Sequence, residues 1–146
     1  MAVWMGATGA TAHAANASLY LSPSSGSFPE GSTFTVSLYV NTGGQAVNAV
    51  QADLTFPRDK LQVVSPSTGN SFIRTWVTQP SYSNTDGTLH FAGAIPSPGI
   101  STNAGLVSTI TFRATDTGTA VVKLLDTSRV LLNDGQGTDE IGRAHV

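Results

Sequence analysis

Between Val47 and Val64 the chain reads VNAVQADLTFPRDKLQVV, where Val50, Ala52, Leu54 and Phe56 alternate with Gln51, Asp53 and Thr55. A period of two places one set of side chains in a core and the other in solvent, so the segment predicts a strand with one buried face. Pro57 has no amide hydrogen with which to continue a ladder. Arg58-Asp59-Lys60 then makes a charged corner before Leu61, Val63 and Val64 return to apolar surroundings.

The same alternation recurs along the chain. Ser18 to Leu21 predicts a short opening strand and SPSSGSFPEGS a loop, after which Phe34, Val36, Leu38 and Val40 face inward from a strand that begins at Thr33. Asn41-Thr42-Gly43-Gly44 turns this strand into the next, making a hairpin. Ser65 to Asn70 reads as a loop, and Phe72 to Gln79 as a strand with poor alternation. The Asp-Gly step of Asn84-Thr85-Asp86-Gly87 signals a turn into Thr88 to Ala94, where Leu89 and Phe91 share a face. Beyond the break at Pro96, Pro98 and Gly99, Leu106, Ile110, Phe112 and Ala114 mark a strand led by Gly105. Thr119 to Leu125 and Arg129 to Leu132 complete the set. About nine strands with turn signals every ~8–12 residues predict an all-β sandwich of jelly-roll type.

Length and composition narrow the class. The 146 residues support one domain, and the charged share of 11% is low beside abundant Ser, Thr, Gly, Asn and Pro, which favours strands and turns over helices. A net charge of -2 with scattered Lys and Arg leaves no basic stripe for phosphates, so nucleic acid is not an expected partner. Cysteine is absent, which removes disulfides and thiolate metal sites. No run approaches the ~20 apolar residues of a membrane span. At the amino end, MAVWMGATGATAHA carries Ala12-His13-Ala14, an A-x-A pattern of the kind signal peptidases accept. Met1 to Ala17 is therefore read as a signal-peptide remnant or a disordered leader, Ser18 to Glu140 as the domain, and Ile141 to Val146 as a tail or the start of a linker.

The chemistry-bearing residues point to recognition. Gln51, Asp53 and Thr55 form an outward polar row, which a flat sheet spaces at about 6.8 Å, and Thr88, His90 and Ala92 match them on another strand. His90 is read as a surface residue and not a metal ligand, because His13 and His145 sit in the two tails. Trp76 and Tyr82, with Tyr39, are the aromatics least easily placed in a core, and the first two offer an alternative as a glycan platform. The loop from Asn133 through Asp134 to Glu140 gathers carboxylates and glycines that could offer oxygens to calcium, yet it lacks the D-x-[DN]-x-[DN]-G spacing and reads as an acidic turn. No G-x-S-x-G elbow, H-E-x-x-H pair or cysteine nucleophile is present, so the chain reads as no enzyme.

Three segments together, VQADLTFPRDKLQVV, GLVSTITFRA and RVLLNDGQGTD, give Ser18 to Glu140 a resemblance to the cohesin domain, the receptor half of the cohesin and dockerin pair of cellulosomes and related surface systems. The resemblance implies a nine-stranded jelly roll, secreted or borne on the cell surface, that presents a flat sheet face to a dockerin. The implied partner-binding residues are Ala49, Gln51, Asp53, Thr55, Thr88 and His90. Aligned on FPRDKL, Ala49 and Gln51 stand where well-known cohesins carry an outward Asn and Asp, while Asp53 keeps the outward parity two residues further along. No cofactor is expected of this chain, since the resemblance implies that any calcium comes with the dockerin. A carbohydrate-binding module with a polysaccharide partner, or an architectural spacer of a surface protein, are the alternative readings.

Overall fold

The computed structural model describes residues 17–96, 98–125 and 127–132, together with the backbone of Ala2–Thr8. In chain order the strands are β1 (Ala2–Thr8), β2 (Ser18–Ser22), β3 (Gly26–Phe28), β4 (Thr33–Asn41), β5 (Val47–Thr55), β6 (Leu61–Ser67), β7 (Thr75–Ser83), β8 (Thr88–Ala94), β9 (Gly105–Ala114), β10 (Gly118–Leu124) and β11 (Arg129–Leu132). They form a four-stranded sheet in the order β2-β4-β9-β6 and a seven-stranded sheet in the order β3-β1-β10-β5-β8-β7, with β11 also paired to β5. No helix occurs among the described residues, and the expected all-β sandwich is found.

The core lies between the sheets because each contributes one apolar face. Val36, Leu38, Val40, Ile110 and Phe112 come from the smaller sheet and Val50, Ala52, Leu54, Leu89 and Phe91 from the larger, all at 2% exposure or less. Each such side chain contributes roughly 1.5–3 kcal/mol on leaving water, so the interior carries the fold and leaves the outward faces open to change. Phe112 joins the layers, stacked on Phe34 at 5.8 Å and edge-on to Phe56 at 5.6 Å. One end of the sandwich is closed by paired threonines. The Thr42 amide and hydroxyl both donate to the Thr102 carbonyl, at 2.7 and 3.0 Å, and the Thr102 amide donates back to the Thr42 hydroxyl at 2.9 Å.

All nine expected strands are present, and two more join them. Ala2–Thr8, set aside with the leader on sequence grounds, runs parallel to β10 and antiparallel to β3. The edges of β10 and β3 present rows of amides and carbonyls, and an extended segment can satisfy these without any side-chain signature. That is also why three residues, Gly26–Phe28, pair within a stretch that reads as loop. Two boundaries move as well. β6 continues to Ser67 through Pro66, and β7 runs from Thr75 through Pro80 to Ser83 where Phe72 to Gln79 was expected. Both are edge strands, which tolerate a proline whose nitrogen faces away from the neighbouring strand or sits at a register slip.

Candidate functional site

The parity expected of β5 is observed. Val50, Ala52 and Leu54 are buried, whereas Ala49, Gln51, Asp53 and Thr55 lie partly exposed on the outer face of the larger sheet. Antiparallel pairing with β8 sets Thr55 opposite Thr88, Asp53 opposite His90, Gln51 opposite Ala92 and Ala49 opposite Ala94. The structure thus brings Ala49, Gln51, Asp53, Thr55, Thr88 and His90 onto one surface, with adjacent rows about 4.8 Å apart.

Asp53 sits where two strands exchange places along β5. β10 pairs with Leu54 and Thr55, while β11 takes over from Gln51 to Val47. Between them the Ser128 side chain stands in for a strand. Its hydroxyl accepts from the Asp53 amide at 3.0 Å and donates to the Asp53 carbonyl at 3.3 Å, and the Leu125 amide also donates to that carbonyl, at 2.8 Å. Ser128 is fully buried, so this substitute pairing is sealed from water.

The carboxylate is held just as firmly. Its Oδ2 accepts from the Thr127 hydroxyl at 2.7 Å and from Gln51 Nε2 at 3.1 Å, and Gln51 Nε2 also donates to the Thr127 carbonyl at 3.2 Å. Oδ1 instead faces His90 Nδ1 at 3.7 Å, beyond hydrogen-bond range, with the Asp53 side chain 18% and that of His90 52% exposed. The result is an oriented, mostly buried acceptor, with Arg129 and Lys123 opposite Gln51 and Thr55 on the flanking strands.

Two depressions adjoin on this face. A recess of about 320 Å³ is lined by Gln51, Asp53, Thr78, His90, Phe91 and Ala92. Beside it, a trough of about 180 Å³ runs between Ala49, Val77, Ala92, Gly93, Arg129 and Leu131. Sequence reasoning missed Val77 and Thr78 because the register of β7 on β8 slips on either side of Thr78, which breaks the alternation. It missed Thr127, Arg129 and Leu131 because their placement depends on the exchange of β10 for β11. The available signal was the polar Asp126-Thr127-Ser128 step between the apolar runs VVKLL and RVLL.

The remaining candidates are dispersed. Trp76 is half-buried and edge-on to Phe91 at 6.0 Å, while Tyr82 lies near the opposite end of β7, roughly 20 Å along the strand. Tyr39 belongs to the other sheet, stacked on Tyr20 at 5.5 Å. The rings proposed as a glycan platform are therefore not brought together. His13, His145 and the acidic loop Asp134 to Glu140 fall outside the described residues. Among the described residues there is no group of three or more His, Asp or Glu side chains placed to hold a metal ion. No helix of the described residues is long and apolar enough to cross a membrane.

The chain is thus a two-sheet β-sandwich whose larger sheet bears two adjoining depressions on its outer face. The sequence matches the cohesin domain over residues 21–144, and the chain belongs to that family. Solved structures agree in fold. The sixth cohesin of scaffoldin B from Acetivibrio cellulolyticus, determined in complex with a Cel5 dockerin mutant, aligns with a TM-score of 0.65 at 12% identity, covering 97% of this chain and 89% of that one. The second type II cohesin module of the adaptor ScaA scaffoldin of the same organism aligns with a TM-score of 0.62 at 12% identity, covering 88% and 84%. CaCohA2 from Clostridium acetobutylicum gives 0.62 at 14% identity, covering 82% and 84%. No curated protein matches the chain.

Proposed function

We propose that this chain is a non-catalytic receptor module, secreted or surface-borne, that docks a dockerin-type protein on the face formed by β11, β5, β8 and β7. Membership of the cohesin family supports the class of partner. The observation that carries the choice of face is the single surface shared by Ala49, Gln51, Asp53, Thr55, Thr88 and His90, in which Ser128, Thr127 and Gln51 hold Asp53 in place before any partner arrives. A surface ordered in advance loses little side-chain freedom on docking. Small neighbours such as Ala49, Ala92 and Ala94 let a partner helix approach the backbone closely.

Calcium, on this reading, belongs to the partner. Titration calorimetry against a panel of dockerin-type modules, with calcium and with chelator, tests the proposal. Saturable binding by at least one module, lost on chelation and restored by calcium, is the expected result. Absence of binding by every calcium-loaded module would end the receptor reading.

A further inference from the structure

The two oxygens of the Asp53 carboxylate are not equivalent. Oδ2 already accepts two hydrogen bonds, from Thr127 and Gln51, whereas Oδ1 accepts none among the described residues and stands 3.7 Å from His90 Nδ1, and Asp53 and His90 both line the recess. We propose that this recess is a lysine-selective well, which takes the ammonium group of one partner lysine at Asp53 Oδ1. The inference rests on the docking reading and specifies what the docked surface must carry at this point.

The selectivity follows from the geometry of the acceptor. An arginine fork gains its strength from two parallel bonds to both oxygens of a carboxylate, and here the second oxygen is saturated. An ammonium is a point donor with three hydrogens, so one free oxygen is sufficient, and Thr78 stands in the same recess as a further acceptor. Ala92 supplies carbon surface along which part of a four-carbon stem can lie, while the Phe91 ring beneath it stays in the core. At about 320 Å³ the recess is at the small end of ligand sites, room for one long side chain. Arg129 lines the neighbouring trough and not the recess. Because the Asp53 side chain is only 18% exposed, its attraction for a cation is less screened than that of a surface carboxylate.

The test uses the isotope-labelled chain and three probes: N-acetyl-lysine amide, N-acetyl-arginine amide and N-acetyl-norleucine amide. The lysine probe is expected to shift the amide resonances of Gln51, Asp53, Thr78 and His90 saturably, with the arginine probe about tenfold weaker and norleucine silent. Asp53→Asn should abolish the lysine response. Thr127→Val, which frees one of the two occupied acceptor positions of Oδ2, should bring arginine up towards lysine. Equal binding of lysine and arginine to the unaltered chain, or an undiminished lysine response in Asp53→Asn, overturns the proposal. No dockerin is used, so a lysine response alongside silent dockerin calorimetry would separate failure of the docking reading from failure of the well.

Discussion

Asn84 grips the backbone of Val63 with both ends of its amide: the Val63 N–H donates to Asn84 Oδ1 at 2.8 Å, and Asn84 Nδ2 donates to the Val63 carbonyl at 3.0 Å. Val63 lies in β6, an edge strand whose register on β9 slips between Val63 and Ser65. A side chain from the β7–β8 turn of the other sheet thus completes the ladder at the place where its own sheet leaves it open. The contact joins the two sheets through hydrogen bonds as well as through the apolar core.

Asn84→Ala removes both bonds and leaves a part-buried donor and acceptor without that partner, a loss of about 1–3 kcal/mol. For a chain of this length the melting temperature should fall by roughly 2–4 °C per kcal/mol. Urea unfolding followed by tryptophan fluorescence measures it, and a change within error would mean that water replaces the amide without loss.

Gly87 closes the same turn under a tighter constraint. Its φ is +73°, and a Cβ built there would stand 2.4 Å from the Phe56 carbonyl oxygen, the neighbour whose amide bonds back to the Gly87 carbonyl at 2.9 Å. Gly87→Ala combines left-handed strain with a backbone clash, and the expected loss exceeds about 2 kcal/mol. The denaturation midpoint checks this, and Gly31→Ala offers a comparison, since Gly31 has φ +84° with nothing within 4 Å of its built Cβ. The Gly31 variant should lose distinctly less.

How much of this was legible in the sequence depended on whether side chains or backbone made the pairing. β5 announces its register because Val50, Ala52 and Leu54 must all be buried, and a slip by one residue would turn them to solvent. The partner row Thr88 and His90 follows from the Asp86-Gly87 turn. β1 and β3 give no comparable signal, because edge pairing asks only for extended backbone. Ser128 is legible only in three dimensions: a lone serine after a turn says nothing until β10 and β11 leave Asp53 between them.

Ser128→Ala tests that seam. The Asp53 amide loses its acceptor at a fully buried position, so the expected loss is about 1–3 kcal/mol, read from urea unfolding. The substitution should also weaken partner binding, because the backbone that carries the carboxylate is no longer fixed. Unchanged stability would show that β11 holds its place on β5 without the serine.

Tyr20 gives the fold a dependence on alkaline pH. Burial, and then the neighbouring Tyr39, raise its phenol above the ordinary value of 10.0, and its hydroxyl donates to the Asn103 carbonyl at 3.1 Å. Below pH 10 the phenol is neutral in both folded and unfolded chains, and its contribution to stability is fully present. As pH rises past 10.0 the unfolded phenol ionises first, so stability falls until the folded group has also lost its proton. Unfolding measured from pH 8 upward should show a decline that is smaller in Tyr20→Phe; identical profiles would refute the assignment.

The binding face and the core can be separated by substitution. Gln51 and Asp53 bond to each other, to Thr127 and to the Ser128 hydroxyl through backbone, but neither side chain enters the apolar interior. Gln51→Ala combined with Asp53→Ala therefore removes the oriented acceptor and its support, while Val50, Ala52 and Leu54 stay packed. Dockerin affinity should fall at least about tenfold, which is 1.4 kcal/mol, whereas the melting temperature should move by only a few degrees. Calorimetry and thermal unfolding of the same preparation give both numbers. Undiminished affinity would place the docking surface elsewhere on the sandwich, and collapse of the fold would show that the polar seam at Asp53, and not the core alone, holds β10 and β11 to β5.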